Sequence, residues 1–220
     1  MNHSPSQRTR IKICGITREA DLDEAVAAGA DAVGFVLYER SPRHVSLGRA
    51  AELARRLPPF VTPVCLLVNA EAAAVQAAVQ ALPQALLQFH GDETPEQCQA
   101  AGRPYLRAAR VTPDLDLLDF AARHAGAAGL LLDAFVEGYG GGGKVFDWSL
   151  IPPNVPTPVV LSGGLNPANV IDGVLRVRPW AVDVSSGVEG ATKGIKDVAL
   201  IRRFCEAVRE ADARIADAST

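Results

Sequence analysis

Short apolar runs alternate eight times along the chain with longer amphipathic stretches that contain Ala, Glu and Arg. Apolar runs rich in β-branched residues predict strands and amphipathic stretches predict helices, so the pattern indicates βα units that build a parallel sheet. Some runs, such as 129–132 and 159–161, are apolar throughout, as expected for strands covered on both faces. The predicted strands lie at residues 10–14, 32–37, 63–68, 85–90, 105–111, 129–133, 158–161 and 181–184.

A closed barrel accounts for this pattern better than its main competitor, an open doubly wound sheet. The units have similar lengths, no run resembles an edge strand, and polar or glycine residues recur just after the strands, where barrel enzymes keep their active sites. A length of 220 residues suits one such barrel. We predict an α/β fold, a single-domain (β/α)8 TIM barrel over residues 10–220, preceded by a disordered polar tail at residues 1–9.

Composition excludes several classes of partner. With 22 Lys+Arg against 25 Asp+Glu and no basic block, the chain is not expected to bind nucleic acid. The polar amino terminus has no apolar stretch behind its charges, so neither a secretory signal nor a membrane anchor is predicted, and we expect a cytoplasmic protein. Structural zinc is not expected, because the cysteines form no CxxC pair; they are Cys14, Cys65, Cys98 and Cys205.

The polar residues that directly follow predicted strands are the candidates for chemistry, because a closed barrel brings those strand ends to one rim. Cys14 ends the first strand and Asp133 the sixth, so they are a possible acid-base pair. Cys14 could instead be a buried packing thiol, and Asp133 a helix cap or a structural ion pair. Gln88 and His90 close the fourth strand, where His90 could line the site or support a neighbour, whereas His124 is expected on a helix surface.

Two glycine-containing turns predict a phosphate site. Loops after the seventh and eighth strands of such barrels often bind phosphate through exposed backbone amides. Alternatively, both turns merely reverse the chain. Asn166 and Pro167, which follow the first turn, predict the cap and first turn of the next helix. The residues of the two turns are Gly163 and Gly164, then Ser185, Ser186 and Gly187.

A glycine-rich segment after the sixth strand resembles a nucleotide-binding P-loop over residues 138–144, which read GxxxxGK. The match fails at Val145, where a Ser or Thr would bind magnesium. Its length and glycines favour a mobile lid over the site. The lid residues are Gly140, Gly141, Gly142, Gly143 and Lys144.

Taken together, these segments resemble the phosphoribosylanthranilate isomerase family of tryptophan biosynthesis, over nearly the whole chain. No single segment is specific, but the ordered set is. The segments are KICGIT at 12–17, GADAVGF at 29–35, SPR at 41–43, QFHG at 88–91, LLD at 131–133, GKVFDW at 143–148, LSGGLNP at 161–167 and VDVSSGVE at 182–189.

The resemblance implies an Amadori rearrangement of N-(5-phosphoribosyl)anthranilate, without metal or organic cofactor. It implies that Asp133 is the general acid and that Cys14, as a thiolate, is the general base. The thiol role requires a pKa lowered by nearby donors or positive charge. Arg43 would hold the anthranilate carboxylate through a bidentate pair, Asp183 would contact sugar hydroxyls, and the two glycine-containing turns would bind the phosphate.

Two alternatives remain at this point. A related barrel enzyme rearranges an aminoimidazole ribotide in histidine biosynthesis, but enzymes of that type carry aspartate where this chain has Cys14. A phosphate-binding barrel without catalytic activity is the second alternative. For the isomerase that the resemblance implies, the expected partner is a small phosphorylated sugar-anthranilate, bound by a monomer or a homodimer.

Overall fold

The computed structural model describes residues 8–134 and 146–218 and contains a closed barrel of eight parallel strands in sequence order. The predicted (β/α)8 fold is confirmed. The last strand pairs with the first, so the described sheet has no free edge. The strands are β1 (Arg10–Cys14), β2 (Ala32–Val36), β3 (Thr62–Leu67), β4 (Leu86–Phe89), β5 (Tyr105–Val111), β6 (Gly129–Ala134), β7 (Val159–Leu161) and β8 (Ala181–Val184).

Helices follow most of the strands and cover the outside of the barrel. Side-chain caps start several of them: Thr94 forms a capping box with Gln97, and Asp197 accepts from the amide of Leu200. None of the described helices is long and apolar enough to cross a membrane. The helices are α1 (Glu19–Ala27), α2 (Leu47–Ala54), α3 (Ala72–Ala81), α4 (Pro95–Ala100), α5 (Leu117–Arg123), α6 (Val170–Val177) and α7 (Val198–Asp217), with short 3₁₀ helices at Trp148–Leu150 and Ser186–Val188.

Asn166 caps the turn that leads into α6. Its Oδ1 accepts from the amide of Ala168 over 2.8 Å, its carbonyl oxygen accepts from the amide of Val170 over 3.1 Å, and its own amide donates to Asn169 Oδ1 over 2.8 Å. The regular helix starts at Val170. The predicted cap at Asn166 therefore lies one turn before the helix proper.

Two separate apolar cores establish which side chains point into the barrel. The smaller core contains Leu106, Ala108, Leu131, Val160 and Ala181, whereas a larger core lies between sheet and helices. Side chains alternate between the two faces of a strand. Two positions further along β6 and β8, Asp133 and Asp183 therefore also face the interior.

The first described residues are packed against the barrel. Arg8 pairs with Asp31, and Thr9, which is buried, donates through its amide and its hydroxyl to Asp212 at 2.8 and 2.7 Å. The predicted tail at residues 1–9 otherwise falls on residues 1–7, outside the described residues.

The position of His124 differs from its predicted place on a helix surface. The imidazole is 3% exposed and lies 4.6 Å from the ring of Phe120, centroid to centroid. Burial, together with the positive charges of Arg107 and Arg123, lowers the pKa of His124 to about 4. The folded protein therefore keeps this residue neutral at pH values where the unfolded chain protonates it.

Replacing His124 with Gln should flatten the acid side of the stability profile. Below the ordinary histidine pKa, His124 is protonated in the unfolded chain but not in the folded protein. The native protein therefore loses stability as the pH falls from about 6.5 toward 4. Between pH 7 and pH 5 this loss amounts to about 1–2 kcal/mol. Urea unfolding of both proteins at the two pH values measures it, and equal losses in both would contradict this account.

Candidate functional site

An ion pair inside the barrel connects the first and last strands beside Cys14. Lys12 lies opposite Asp183 in the β1–β8 register, and its Nζ donates to Asp183 Oδ1 over 2.8 Å. Both side chains are nearly inaccessible, with 4% and 5% of their surface exposed. Cys14 follows Lys12 by two positions, so the thiol and the ammonium group share the interior face of β1.

The Cys14 thiol is surrounded by charges of both signs. Burial raises its pKa above the ordinary value; Lys12 opposes the rise, Asp183 adds to it and Lys196 opposes it. The net direction is upward, so the expectation of a lowered thiol pKa was wrong for this structure. Sequence reasoning considered the cations that favour the thiolate but omitted the cost of burying its charge.

The neighbouring strand leaves no spare room beside the thiol. Gly34 on β2 pairs with Cys14 in register, and a Cβ atom at that position would lie 2.7 Å from Cys14 Sγ. Such a distance is too short for a non-bonded contact, so the missing side chain of Gly34 makes the space that the sulfur occupies.

Asp133 belongs to a chain of three side chains at the opposite side of the rim. Its Oδ2 is 3.1 Å from His90 Nε2, and His90 Nδ1 is 2.9 Å from Gln88 Nε2. An amide nitrogen only donates, so Nδ1 accepts and Nε2 carries the hydrogen that it donates to Asp133. Asp133 Oδ1 also accepts from the amide of Ala134 over 2.8 Å. Within the described residues, Gln88 Oε1 is buried without a hydrogen-bond partner.

Arg43 is positioned by a buried carboxylate that the sequence did not single out. Its Nε and Nη2 donate to the two oxygens of Glu189 over 2.6 and 2.8 Å. Lys196 donates to the same carboxylate over 3.1 Å and to the carbonyl of Ser185 over 3.0 Å. Burial raises the pKa of Glu189, but Arg43 and Lys196 outweigh it and hold the pKa below its usual range. Glu189 therefore contacts the Nε and Nη2 atoms of the Arg43 guanidinium but not Nη1.

The two predicted phosphate turns lie against each other. Gly163 and Gly164 have φ angles of +78° and +68°, which disfavour other residues. Gly187 sits so close to the first turn that a Cβ atom there would lie 1.9 Å from the carbonyl oxygen of Leu165. Ser186 opens a short 3₁₀ helix, and the first amides of a helix have no acceptor within it. The two turns thus form one surface at the ends of β7 and β8.

The structure brings most predicted site residues to the same rim and adds others. Cys14, Asp133 and Asp183 face the interior, and Arg43 lies beside the turn after Cys14, where a Cβ on Gly15 would be 2.6 Å from Arg43 Cδ. Of the added residues, only Lys12 had a signal in the sequence, a charge inside an apolar strand two positions before Cys14. Glu189 and Lys196 had none. The predicted lid residues, Gly140, Gly141, Gly142, Gly143 and Lys144, lie outside the described residues.

Comparisons with known proteins agree with the sequence resemblance. The family model for N-(5'-phosphoribosyl)anthranilate isomerase matches residues 11–207. A protein of that name from Leptothrix cholodnii is 73% identical over 97% of this chain and 96% of its own length. A crystal structure of phosphoribosyl anthranilate isomerase from Thermus thermophilus is 32% identical, covers 92% of this chain and 99% of its own, and superposes with a TM-score of 0.83.

Another similar structure was solved with a ligand. It is a phosphoribosyl anthranilate isomerase in complex with reduced 1-(o-carboxyphenylamino)-1-deoxyribulose 5-phosphate. It is 37% identical, with a TM-score of 0.80, and the match covers 92% of this chain and 99% of that one.

A glycine pair tests the contact between the two turns. Gly187→Ala places a methyl group against the Leu165 carbonyl, which cannot move without displacing the turn, so we expect a loss of about 1–3 kcal/mol in the free energy of unfolding. Gly190→Ala is the matched control, because nothing lies within 4 Å of a Cβ atom there. Thermal and urea unfolding compare the two, and equal stability would show that the turns do not touch.

Proposed function

The chain belongs to the N-(5'-phosphoribosyl)anthranilate isomerase family, and on that premise we propose that it performs the Amadori rearrangement of N-(5'-phosphoribosyl)anthranilate with Asp133 as general acid and Cys14 as general base. The product is 1-(2-carboxyphenylamino)-1-deoxyribulose 5-phosphate, an intermediate of tryptophan biosynthesis. The observation that carries the assignment is the placement of Cys14 and Asp133, which face one barrel interior from strands β1 and β6.

The reaction needs one proton delivered and another removed. Asp133 donates its proton to the furanose ring oxygen while the anilino nitrogen lone pair opens the ring to a Schiff base. Cys14 then removes the proton from the second carbon of the sugar, and the resulting enolamine tautomerises to the ketone. The net result is an isomerisation in which one proton has passed from Asp133 to Cys14. Its return through solvent restores the enzyme.

The chain Gln88–His90–Asp133 orients the proposed acid. Asp133 Oδ2 lies 3.1 Å from His90 Nε2, and Oδ1 accepts from the amide of Ala134 over 2.8 Å, so the carboxyl group is held at both oxygens. Gln88 Nε2 in turn lies 2.9 Å from His90 Nδ1 and holds the imidazole in place.

Arg43 would bind the carboxylate of the anthranilate ring with the part of its guanidinium that Glu189 leaves available. Its Nε–Nη2 edge is already occupied, so the substrate carboxylate has to approach the Nη1 end. Planar guanidinium groups bind carboxylates there with two nearly parallel hydrogen bonds when both Nη atoms contribute. Asp183, on the same interior face as Cys14, is the acceptor available to sugar hydroxyls.

The phosphate would bind where the turns after β7 and β8 meet. Gly164, Ser186 and Gly187 contribute backbone amides, the donors that bind anions at such turns. Lys196 donates to the Ser185 carbonyl and adds positive charge near this surface. Gripping the phosphate holds the sugar ring over Cys14 and Asp133.

Replacing either proposed catalytic group should remove most turnover without unfolding the protein. Cys14→Ala and Asp133→Asn are each expected to lower kcat by about 10²–10⁴-fold, the usual contribution of a positioned acid or base. Cys205→Ala removes another buried free thiol, far along the chain on α7, and should keep near-normal kcat. The assay follows the loss of substrate fluorescence in the presence of a chelator. Near-normal turnover by either catalytic-site variant would end the assignment.

The space beside the thiol gives a second test. Gly34→Ala introduces a methyl group 2.7 Å from Cys14 Sγ, so the sulfur has to move, and misplacing a reacting group by about 1 Å costs on the order of 10²-fold in rate. The same substitution at Gly48 on α2, where a Cβ atom meets nothing within 4 Å, serves as control. We expect kcat to fall for the first variant and not for the second; unchanged kcat in Gly34→Ala would place the reacting group elsewhere.

A further inference from the structure

Lys12 is buried beside Cys14 but has no role in the mechanism above. We propose that Lys12 is a positioning residue for the general base: its ammonium group, held in place by Asp183, stabilises the negative charge of the Cys14 thiolate. The proposal rests on the proposed function for its catalytic meaning. The physical coupling between Lys12 and Cys14 can be measured without the reaction.

The placement of Lys12 follows from the alternation of side chains along β1 and from the pairing of β1 with β8. Lys12 and Cys14 are two positions apart on one strand and share its interior face. On the other side Lys12 Nζ donates to Asp183 Oδ1 over 2.8 Å. A lysine has three donors, so the bond to Asp183 does not exhaust the ammonium group.

The electrostatic environment favours the protonated form of Lys12. Burial by itself lowers the pKa of Lys12, but attraction from Asp183 and from the Cys14 sulfur outweighs burial and holds the pKa above its ordinary value. The raised pKa favours the protonated, positively charged form of Lys12. Lys12 supplies a fixed positive charge in a region where water screens little.

The remaining charges near Cys14 do not replace this one. Lys196 also favours the thiolate, but it donates to Glu189, which is itself committed to Arg43. Asp183 disfavours the thiolate. Lys12 is thus the cation that lies nearest on the strand of Cys14 itself, and Asp183 limits how strongly it acts.

A purely structural role explains the pair less well. Replacing a buried ion pair by apolar side chains of similar volume is often neutral or stabilising, so such a pair is weak evidence for stability. The interior of this barrel accepts apolar residues one inward position below this pair, where Leu131, Val160 and Ala181 are in register. The pair is therefore better explained by the charge that it places beside the sulfur.

The test measures the pKa of Cys14 in the free enzyme by thiolate absorbance at 240 nm, as the difference between each protein and the same protein carrying Cys14→Ser. Lys12→Met removes the cation and should raise this pKa, which leaves about tenfold less thiolate at neutral pH for each pH unit of change. Asp183→Asn removes the anion but keeps an oxygen that can accept from Lys12, and it should lower the pKa of Cys14. The control Lys193→Met makes the same substitution at an exposed lysine and should leave the pKa of Cys14 unaltered.

Opposite movements of the Cys14 pKa in the Lys12 and Asp183 variants support the proposal, because loss of structure would not produce opposite signs. A pKa that stays constant in folded Lys12→Met, as judged by circular dichroism, overturns it. Should Lys12→Met not fold, Asp183→Asn decides alone, and an unchanged or raised pKa there overturns the proposal.

Kinetics separate this proposal from the proposed function. If Cys14 is the base, kcat of Lys12→Met is lowered at neutral pH and recovers as the pH rises and the thiolate forms. If Cys14→Ala retains full activity while the titration shows the predicted opposite movements, the assignment of the base fails and the coupling between Lys12 and the thiol stands. A Lys12→Met enzyme whose kcat is lowered equally at every pH, with no change in the Cys14 titration, contradicts the coupling.

Discussion

Closure of the sheet into a barrel is the constraint from which the site follows. Every second side chain of a strand must enter an interior that holds few of them. Apolar residues fill its lower part, and charged groups fill the rim only where they find partners: Lys12 with Asp183, and Asp133 with His90. The partners come from strands that are distant in sequence, so the catalytic arrangement exists only once the barrel has closed.

Burial is both the advantage and the cost of this arrangement. Excluding water strengthens the interaction of each protein charge with the substrate. It also disfavours the thiolate form of Cys14 that the base requires, so burial raises the pKa of this thiol. Two lysines oppose this rise of the pKa, and each is paired with a carboxylate: Lys12 with Asp183, and Lys196 with Glu189. Arg43 is fixed by the same carboxylate, so the proposed site for the anthranilate carboxylate and the surroundings of the base share one charge network.

Much of the fold was predictable because its signals are local. Apolar runs with β-branched residues placed β1, β5 and β8 at their observed bounds, and glycines marked the turns after β7 and the start of the next 3₁₀ helix. The errors arose where burial by the surrounding structure decides the pKa of a side chain, at His124 and at Cys14. The Arg43–Glu189 pair spans 146 positions, and no local pattern could have joined its members.

The central claim is that one sugar ring lies between the Cys14 sulfur and the Asp133 carboxyl group while its phosphate rests on the turns after β7 and β8. A crystal structure of this protein with reduced 1-(o-carboxyphenylamino)-1-deoxyribulose 5-phosphate tests it most directly. The account predicts phosphate oxygens on the amides of Gly164, Ser186 and Gly187, with the sulfur and the carboxyl group both contacting the pentulose chain. A phosphate bound elsewhere, or a sulfur separated from the sugar by other side chains, would contradict it.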